Sequence, residues 1–142
     1  MLRINDVYQY QDLSIRILKI LSEHIVWIDI NDVKALPEII SKTELFHAIE
    51  SFEVFRIEDP FQDIAFIQPE KDSTFQRKRD ENYNLIKNIV DHEQFYIPSA
   101  RSSLINEIIN RKKSTKQTIY RLLRQYWQRG QTPNALIPNY QN

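Results

Sequence analysis

The first sixty residues alternate apolar and polar positions with the period of two that is typical of β-strands. In the segment 24–30, Ile25 and Trp27 fall on one face, whereas Val26 and Ile28 fall on the other. This alternation predicts a strand. Three further segments with similar patterns are predicted strands: 2–7, 14–21 and 53–57.

Helix starts are marked three times by a Ser-x-x-Glu or Ser-x-x-Gln pattern, the capping box in which two side chains satisfy free backbone amides. The boxes span residues 41–44, 73–76 and 114–117. They predict a helix after Ser41, a helix from 74 to about Asp91, and a last helix over 115–129. Gly130 is predicted to cap that last helix in the left-handed conformation. A further helix is predicted from apolar residues at helical spacing: Leu104, Ile105, Ile108 and Ile109.

The last predicted helix separates apolar from polar residues cleanly. Its apolar stripe, which is expected to face a core, consists of Ile119, Leu122, Leu123, Tyr126 and Trp127. The opposite side carries Lys116, Gln117, Tyr120, Arg121, Arg124 and Gln128. Two helices joined by a short turn, the second of them basic on its outer face, are typical of a DNA-reading helix-turn-helix.

These elements predict an α+β protein with a small β-rich module and one helix, followed by a three-helix helix-turn-helix domain. The β-rich module is expected over residues 1–60 and the helix-turn-helix domain over 73–130. Residues 61–72 are predicted to be a linker between the two. Residues 131–142, which contain Pro133 and Pro138, are predicted to begin a linker to further domains.

Composition narrows the possible functions. The chain has no cysteine, which excludes disulfides, thiolate zinc sites and cysteine nucleophiles. It has one glycine, too few for the glycine-rich loops that hold nucleotide phosphates. Because His24, His47 and His92 are scattered, a metal site is not expected, and no cofactor is predicted. With no long apolar run, the protein is expected to be cytoplasmic and to have no membrane partner.

Charge divides the chain sharply although its net charge is zero. Residues 1–72 carry seven Lys or Arg against fourteen Asp or Glu, a balance of −7. Residues 101–142 carry eight basic residues and one acid, Glu107, a balance of +7. No acid occurs between Lys112 and Arg129, whereas a merely solvated helix usually interleaves both signs. The basic half is therefore predicted to bind double-stranded DNA.

The geometry of a docked helix-turn-helix assigns roles to individual residues. Gln117 and Arg121 are expected to reach base edges, because amide and guanidinium groups pair bidentately with adenine and guanine. The turn before the helix is expected to contact phosphates. The predicted DNA-binding residues are Arg101, Lys112, Lys113, Ser114, Thr115, Lys116, Gln117, Tyr120, Arg121 and Arg124.

The segment 114–138 resembles the TnsB family, the transposase subunits of Tn-seven-type elements. Its most specific part is the stretch YWQRGQTPNALIP at 126–138, which no generic helix-turn-helix requires. Weaker likeness occurs at 5–7, 25–27, 58–60 and 75–78, so the resemblance covers the whole chain.

The resemblance implies that the chain is an N-terminal part of a much longer transposase and recognises repeats at transposon ends in cut-and-paste transposition. It implies that cutting and joining belong to a downstream domain with three carboxylates and divalent metal, so no catalytic residue is expected here. Other transposition proteins are expected partners of the full-length protein. Two alternatives remain open at this stage: a protein-interaction module of a transposition assembly, and a free-standing helix-turn-helix transcriptional regulator.

Overall fold

A computed structural model describes residues 1–138, which form five strands and four α-helices. The strands are β1 Val7–Tyr10, β2 Leu13–Ile20, β3 His24–Asp29, β4 Glu38–Ser41 and β5 Val54–Ile57. The helices are α1 Lys42–Glu50, α2 Thr74–Val90, α3 Pro98–Asn110 and α4 Lys116–Gln128. Two short 3-10 helices are Ile64–Phe66 and Pro133–Leu136. The predicted α+β class and the order of β-rich and helical parts are confirmed.

The strands form one antiparallel sheet in the order β4-β3-β2-β1-β5. The strands predicted at 14–21, 24–30 and 53–57 are confirmed to within one residue at each end. The strand predicted at 2–7 is wrong, because the chain turns there and β1 begins only at Val7. Asn5 lies in this turn with a φ of 74°, and its amide donates to the carbonyl of Ile17 at 2.7 Å. The four-residue β4 is too short for its alternation to be recognised in the sequence.

The structure confirms two of the three predicted capping boxes. Ser41 Oγ accepts from the Glu44 amide at 3.1 Å, and Ser73 Oγ accepts from the Gln76 amide at 3.1 Å. The third box is wrong by one residue. Thr115, not Ser114, caps α4 by accepting from the amide of residue 118 at 3.2 Å. The helix therefore starts at Lys116, so the side chains before it belong to the turn.

The sheet is covered on both faces. One face packs against α1 in a cluster of buried residues: Tyr8, Ile15, Ile17, Ile25, Leu45, Ala48 and Val54. The other face joins α2, α3 and α4 in a larger core, to which the sheet contributes Val7, Leu18, Val26 and Ile28, and to which Ile30 is added just after β3. The two halves therefore share one core and are not two bodies separated by a linker. The alternation within β2 and β3, which places apolar residues on both faces, makes this possible.

A buried charge joins the two halves. Arg16 on β2 is fully buried and donates two hydrogen bonds of 2.8 Å to the carboxylate of Asp59. It also donates to the carbonyl of Asn5 at 2.8 Å and to the carbonyl of Gln128, at the end of α4, at 3.1 and 3.2 Å. A guanidinium taken out of water is costly unless its donors are satisfied, and here every nitrogen that can donate has an acceptor.

The segment 61–72 is an ordered crossing and not a linker. Ile64 is buried there, and the Asn134 side-chain amide donates to the carbonyls of Ile64 at 3.0 Å, Ala65 at 3.2 Å and Ile67 at 2.7 Å. The segment is thereby tied to the far end of the chain. Its three acids and its proline suggest a loop, but the buried Ile64 anchors it to the core.

Residues 131–138 are also not a linker. After α4, Gly130 adopts a φ of 114° as predicted, and the amide of Gln131 donates back to the carbonyl of Tyr126 at 2.9 Å. This is the Schellman arrangement, which reverses the chain. The residues that follow return to the core, where Asn134, Ala135, Leu136 and Ile137 are buried. Residues 139–142 of the predicted linker lie outside the described residues.

Replacement of Asp59 by asparagine is expected to lower the free energy of unfolding by about 3 kcal/mol, because it leaves the buried charge of Arg16 without its counter-ion. Urea denaturation at pH 7 measures this. Asp12→Asn, at an exposed acid in the turn between β1 and β2, is the control and should change stability little. Equal stability of the two variants would contradict a structural role for the ion pair.

The ion pair between Arg16 and Asp59 also predicts that the free energy of unfolding depends on pH. Burial raises the pKa of the Asp59 carboxyl, but the hydrogen bonds from Arg16 and from the Phe61 amide outweigh burial, and the pKa is lowered overall. The carboxylate therefore stabilises the fold above its unfolded pKa of about 3.9, and this contribution is lost as the pH falls through the folded value. The acid-induced loss should be smaller in Asp59→Asn than in the parent.

Replacement of Leu136 by alanine is expected to cost about 2–5 kcal/mol, because the side chain is fully buried and its loss leaves a cavity. Thermal or urea unfolding measures the loss. Val33→Ala is the control, since Val33 is 78% exposed. If Leu136→Ala unfolded like the parent, residues 131–138 would not be part of the folded core.

Candidate nucleic-acid interface

The helix-turn-helix consists of α3, the turn 111–115 and α4. The amides of Lys112 and Lys113 donate to the carbonyls of Ile109 at 2.9 Å and Ile108 at 3.2 Å, which caps α3 with a Schellman arrangement. Lys112 occupies the left-handed position with a φ of 56°, where glycine is usually found. The turn therefore presents two consecutive lysines directly in front of α4.

Most of the predicted DNA-binding residues lie on the turn and on the outer face of α4. Those that are exposed are Lys112, Lys113, Thr115, Lys116, Gln117 and Arg121. Ser114 is half-buried. The inner face of α4 is buried in the core through the five residues of its predicted apolar stripe, which are Ile119, Leu122, Leu123, Tyr126 and Trp127. The opposite face of the helix is thus left for a partner, as its amphipathic pattern predicts.

Tyr120 and Arg124 are half-buried and already have partners within the protein. The Arg124 guanidinium lies over the Tyr120 ring, 5.9 Å from its centroid. Arg124 Nε also donates to the carbonyl of Ala35 at 3.2 Å. Together with Lys116 and Gln117, these two side chains line a shallow hollow of ≈ 410 Å³ on the surface of α4. Only part of each of the Tyr120 and Arg124 side chains is therefore accessible to a partner.

Arg101 is buried and therefore does not belong to the candidate interface. It is 3% exposed and donates through Nη1 to the carbonyl of Phe95 at 3.1 Å. Burial lowers the pKa of its guanidinium, and the hydrogen bond to Tyr120 opposes that effect. The prediction that Arg101 binds DNA is not supported by its position, because this charge lies inside the protein, where it joins α3 to α4.

The sheet sets the position of α4. Gln128, in the last turn of the helix, donates through Nε2 to the carbonyls of Asp29 at 2.9 Å and Asp32 at 2.7 Å. These acceptors lie at the end of β3 and in the loop that follows it. With the Arg124 bond to Ala35 in the same loop, they fix the C-terminal half of α4 against the β-rich module. The module therefore acts as a support that orients the basic helix.

Two basic residues outside the predicted set lie beside the candidate interface. Lys78 on α2 and Arg129 at the end of α4 line one pocket together with Arg121. A second cleft on the other side of Arg121 is lined by Arg124, Arg129 and the exposed Val33 of the β3–β4 loop. No periodicity along the chain links α2 to α4, so these neighbours cannot be found from spacing. The one available signal for Lys78 is the segment 75–78, which shares the family resemblance.

The histidines do not gather at a common site, since they lie on β3, on α1 and just after α2. Within residues 1–138, no group of three or more His, Asp or Glu side chains is placed to hold a metal ion. Over the same part of the chain, none of the helices combines the length and the apolar character needed to cross a bilayer.

Comparison with known proteins agrees with the resemblance seen in the sequence. The family model for the TnsB N-terminal SH3-like domain matches residues 1–60, and the model for the TnsB second domain matches residues 79–140. Transposon Tn7 transposition protein TnsB of Escherichia coli is 37% identical over all 142 residues of this chain. The chain spans 20% of the length of that protein. With both domain models and this whole-chain identity in agreement, the chain belongs to the TnsB family.

Proposed function

We propose that this chain binds double-stranded DNA in a sequence-specific manner and recognises the repeats at the ends of a transposon. The observation that carries the proposal is the outer face of α4, where Lys116, Gln117 and Arg121 are exposed beside the lysines of the preceding turn. No acid interrupts the sequence from Lys112 to Arg129. An exposed basic helix of this kind, held rigidly by a core, is the usual reader of the major groove.

The proposed docking places the N-terminal half of α4 in the major groove. Gln117 and Arg121 are one turn apart on the exposed side of the helix, so both can face base edges. The turn then meets the flanking phosphates through Lys112 and Lys113. The positive end of the α4 dipole, at Lys116, adds to the attraction for a phosphate.

The proposal that the DNA is a transposon end follows from the family. The TnsB resemblance implies end recognition, and the Escherichia coli relative is by its name a transposition protein. The β-rich module, residues 1–60, carries six Lys or Arg against eleven Asp or Glu, and this balance of −5 disfavours broad contact with phosphates. Its contacts with Arg124 and Gln128 support a role in orienting α4 rather than in broad DNA contact.

A direct test compares the binding of this chain to a labelled duplex of its own transposon end with binding to a random duplex of equal length. Fluorescence anisotropy at several salt concentrations and a footprint on the end DNA provide the readouts. Protection of discrete repeats and tighter binding to the end duplex are expected. Equal binding to both duplexes would contradict sequence-specific recognition, and no binding to either would favour the protein-interaction module.

Arg121→Ala is expected to weaken binding to the end repeat by about 1–3 kcal/mol and to reduce the preference for the cognate base at one position. Binding to a set of single-base variants of the repeat measures this. Arg121→Lys is the matched variant, because it keeps the charge but cannot form a bidentate contact with guanine. If Arg121→Lys retained the full preference, the base-reading role of Arg121 would be wrong.

Lys113→Ala is expected to weaken binding to every duplex alike, since phosphates carry no sequence information. The slope of log affinity against log salt should become shallower by about one. The control is Lys42→Ala, at the start of α1 on the opposite face of the sheet. A loss confined to the cognate repeat would place Lys113 at bases and overturn the proposed orientation.

A further inference from the structure

Val33 is an exposed apolar residue beside the outer face of α4. It lies in the β3–β4 loop, residues 30–37, and is 78% exposed. Isolated apolar residues at a surface are common and indicate nothing by themselves. The distinguishing feature of Val33 is its position, because it lines the same cleft as Arg121, Gln125 and Gln128 of α4. A partner that covers Arg121 therefore comes close to Val33.

The tip of the loop is a tight turn that exposes Val33. The amide of Ala35 donates to the carbonyl of Asp32 at 3.2 Å, so Val33 and Lys34 occupy the two corners of the turn. Asp32 Oδ1 accepts from the Lys34 amide at 2.8 Å, which stabilises the turn and engages this carboxylate with the backbone of the loop. The corners of the turn therefore present one apolar side chain and one cation to solvent.

Hydrogen bonds from α4 fix the position of this turn. Gln128 Nε2 donates to the carbonyl of Asp32 at 2.7 Å, and Arg124 Nε donates to the carbonyl of Ala35 at 3.2 Å. These two acceptors are the first and the last residue of the turn. Because both ends of the turn are bonded to the helix, Val33 is held in place relative to α4. A partner that contacts both elements does not have to order a flexible loop, which lowers the entropic cost of binding.

The cleft between the turn and α4 suits the edge of a base. Its volume of ≈ 160 Å³ is well below the about 300 Å³ at which small-molecule sites begin. The loop contributes Val33 to its lining, whereas α4 contributes polar side chains that include Arg121 and Gln125. In the major groove, thymine presents a methyl group, which apolar side chains contact, and guanine presents two acceptors to arginine. An apolar side chain beside a guanidinium therefore suits two neighbouring base pairs, one with thymine and one with guanine.

We propose that Val33 reads a thymine of the transposon-end repeat by contacting its C5-methyl group, next to the base pair that Arg121 contacts. This inference rests on the proposed function, because it requires the same duplex on α4. It gives the β-rich module a direct part in sequence recognition, in addition to its support of α4. The excess of negative charge on the module is compatible with this role, since a contact between methyl groups requires no positive charge.

The first test replaces Val33 by alanine and measures binding to the end duplex by fluorescence anisotropy. Loss of two methyl groups from an apolar contact should lower the affinity about 3–10-fold. Binding to a random duplex should not change, because that duplex has no fixed thymine at this position. The matched control is Phe52→Ala, at an apolar residue that is 83% exposed and follows α1 on the opposite face of the sheet. The control should bind both duplexes like the parent.

The second test locates the thymine. Deoxyuridine, which pairs like thymidine but lacks the C5-methyl group, replaces each thymine of the repeat in turn. At one position the parent should lose as much affinity as Val33→Ala loses on the unmodified duplex, and the variant should lose nothing further there. This non-additivity identifies a contact between the two groups. Partial unfolding of the variant would instead lower its affinity for every duplex and leave the effect of deoxyuridine unchanged.

The outcomes separate this inference from the proposed function. If the parent prefers the end duplex and Val33→Ala matches the parent in affinity and in its response to deoxyuridine, the methyl contact is wrong and the DNA-binding proposal stands. If the variant weakens binding to the end and random duplexes equally, Val33 makes no base-specific contact and the inference also fails. If the parent shows no preference for the end duplex, the proposed function fails and this inference fails with it.

Discussion

The buried guanidinium of Arg16 is the constraint on which the arrangement of the two halves depends. Its five hydrogen bonds reach acceptors in three separate parts of the chain: the turn at Asn5, the carboxylate of Asp59 and the end of α4 at Gln128. An apolar interface tolerates small displacements, because dispersion contacts have little directionality. A buried ion pair does not, since any shift leaves a donor unsatisfied at a cost of several kcal/mol.

This constraint also joins the acidic module to the basic half of the chain. Arg16 donates a hydrogen bond to the main-chain carbonyl of Gln128. The side-chain amide of Gln128 in turn donates to carbonyls at the end of β3 and in the loop that follows it. Both ends of one glutamine thus connect α4 to the sheet. The groups of the module that meet the end of α4 directly are two main-chain carbonyls and the Arg16 guanidinium. The module thus fixes the orientation of α4, whereas the excess of positive charge lies in the helical half.

Much of the fold and the position of the basic face could be predicted from local patterns, because alternation, capping and amphipathicity are local properties. Gly130 is an example, since its left-handed conformation follows from its place after an apolar stripe. Local patterns gave wrong predictions at positions whose burial is determined by long-range packing. Asn134 and Leu136 follow a proline in a polar stretch that is typical of a linker, yet they are buried against segments more than fifty residues away. The same limit applies to Arg101, whose charge is visible in the sequence but whose burial is not.

In the basic half, the number of cations in the sequence is larger than the number that are accessible at the surface. This difference changes the shape of the expected interface. Arg101 is buried and Arg124 is partly used to hold the β3–β4 loop, so residues 101–142 offer fewer available cations than the count of +7 suggests. The fold adds Lys78, which belongs to a stretch of balanced charge, and brings it beside Arg121. The available positive surface thus runs from the turn along α4 and across to α2. The width of this surface is created by packing rather than by the local sequence, because α2 and α4 come together only in the folded chain.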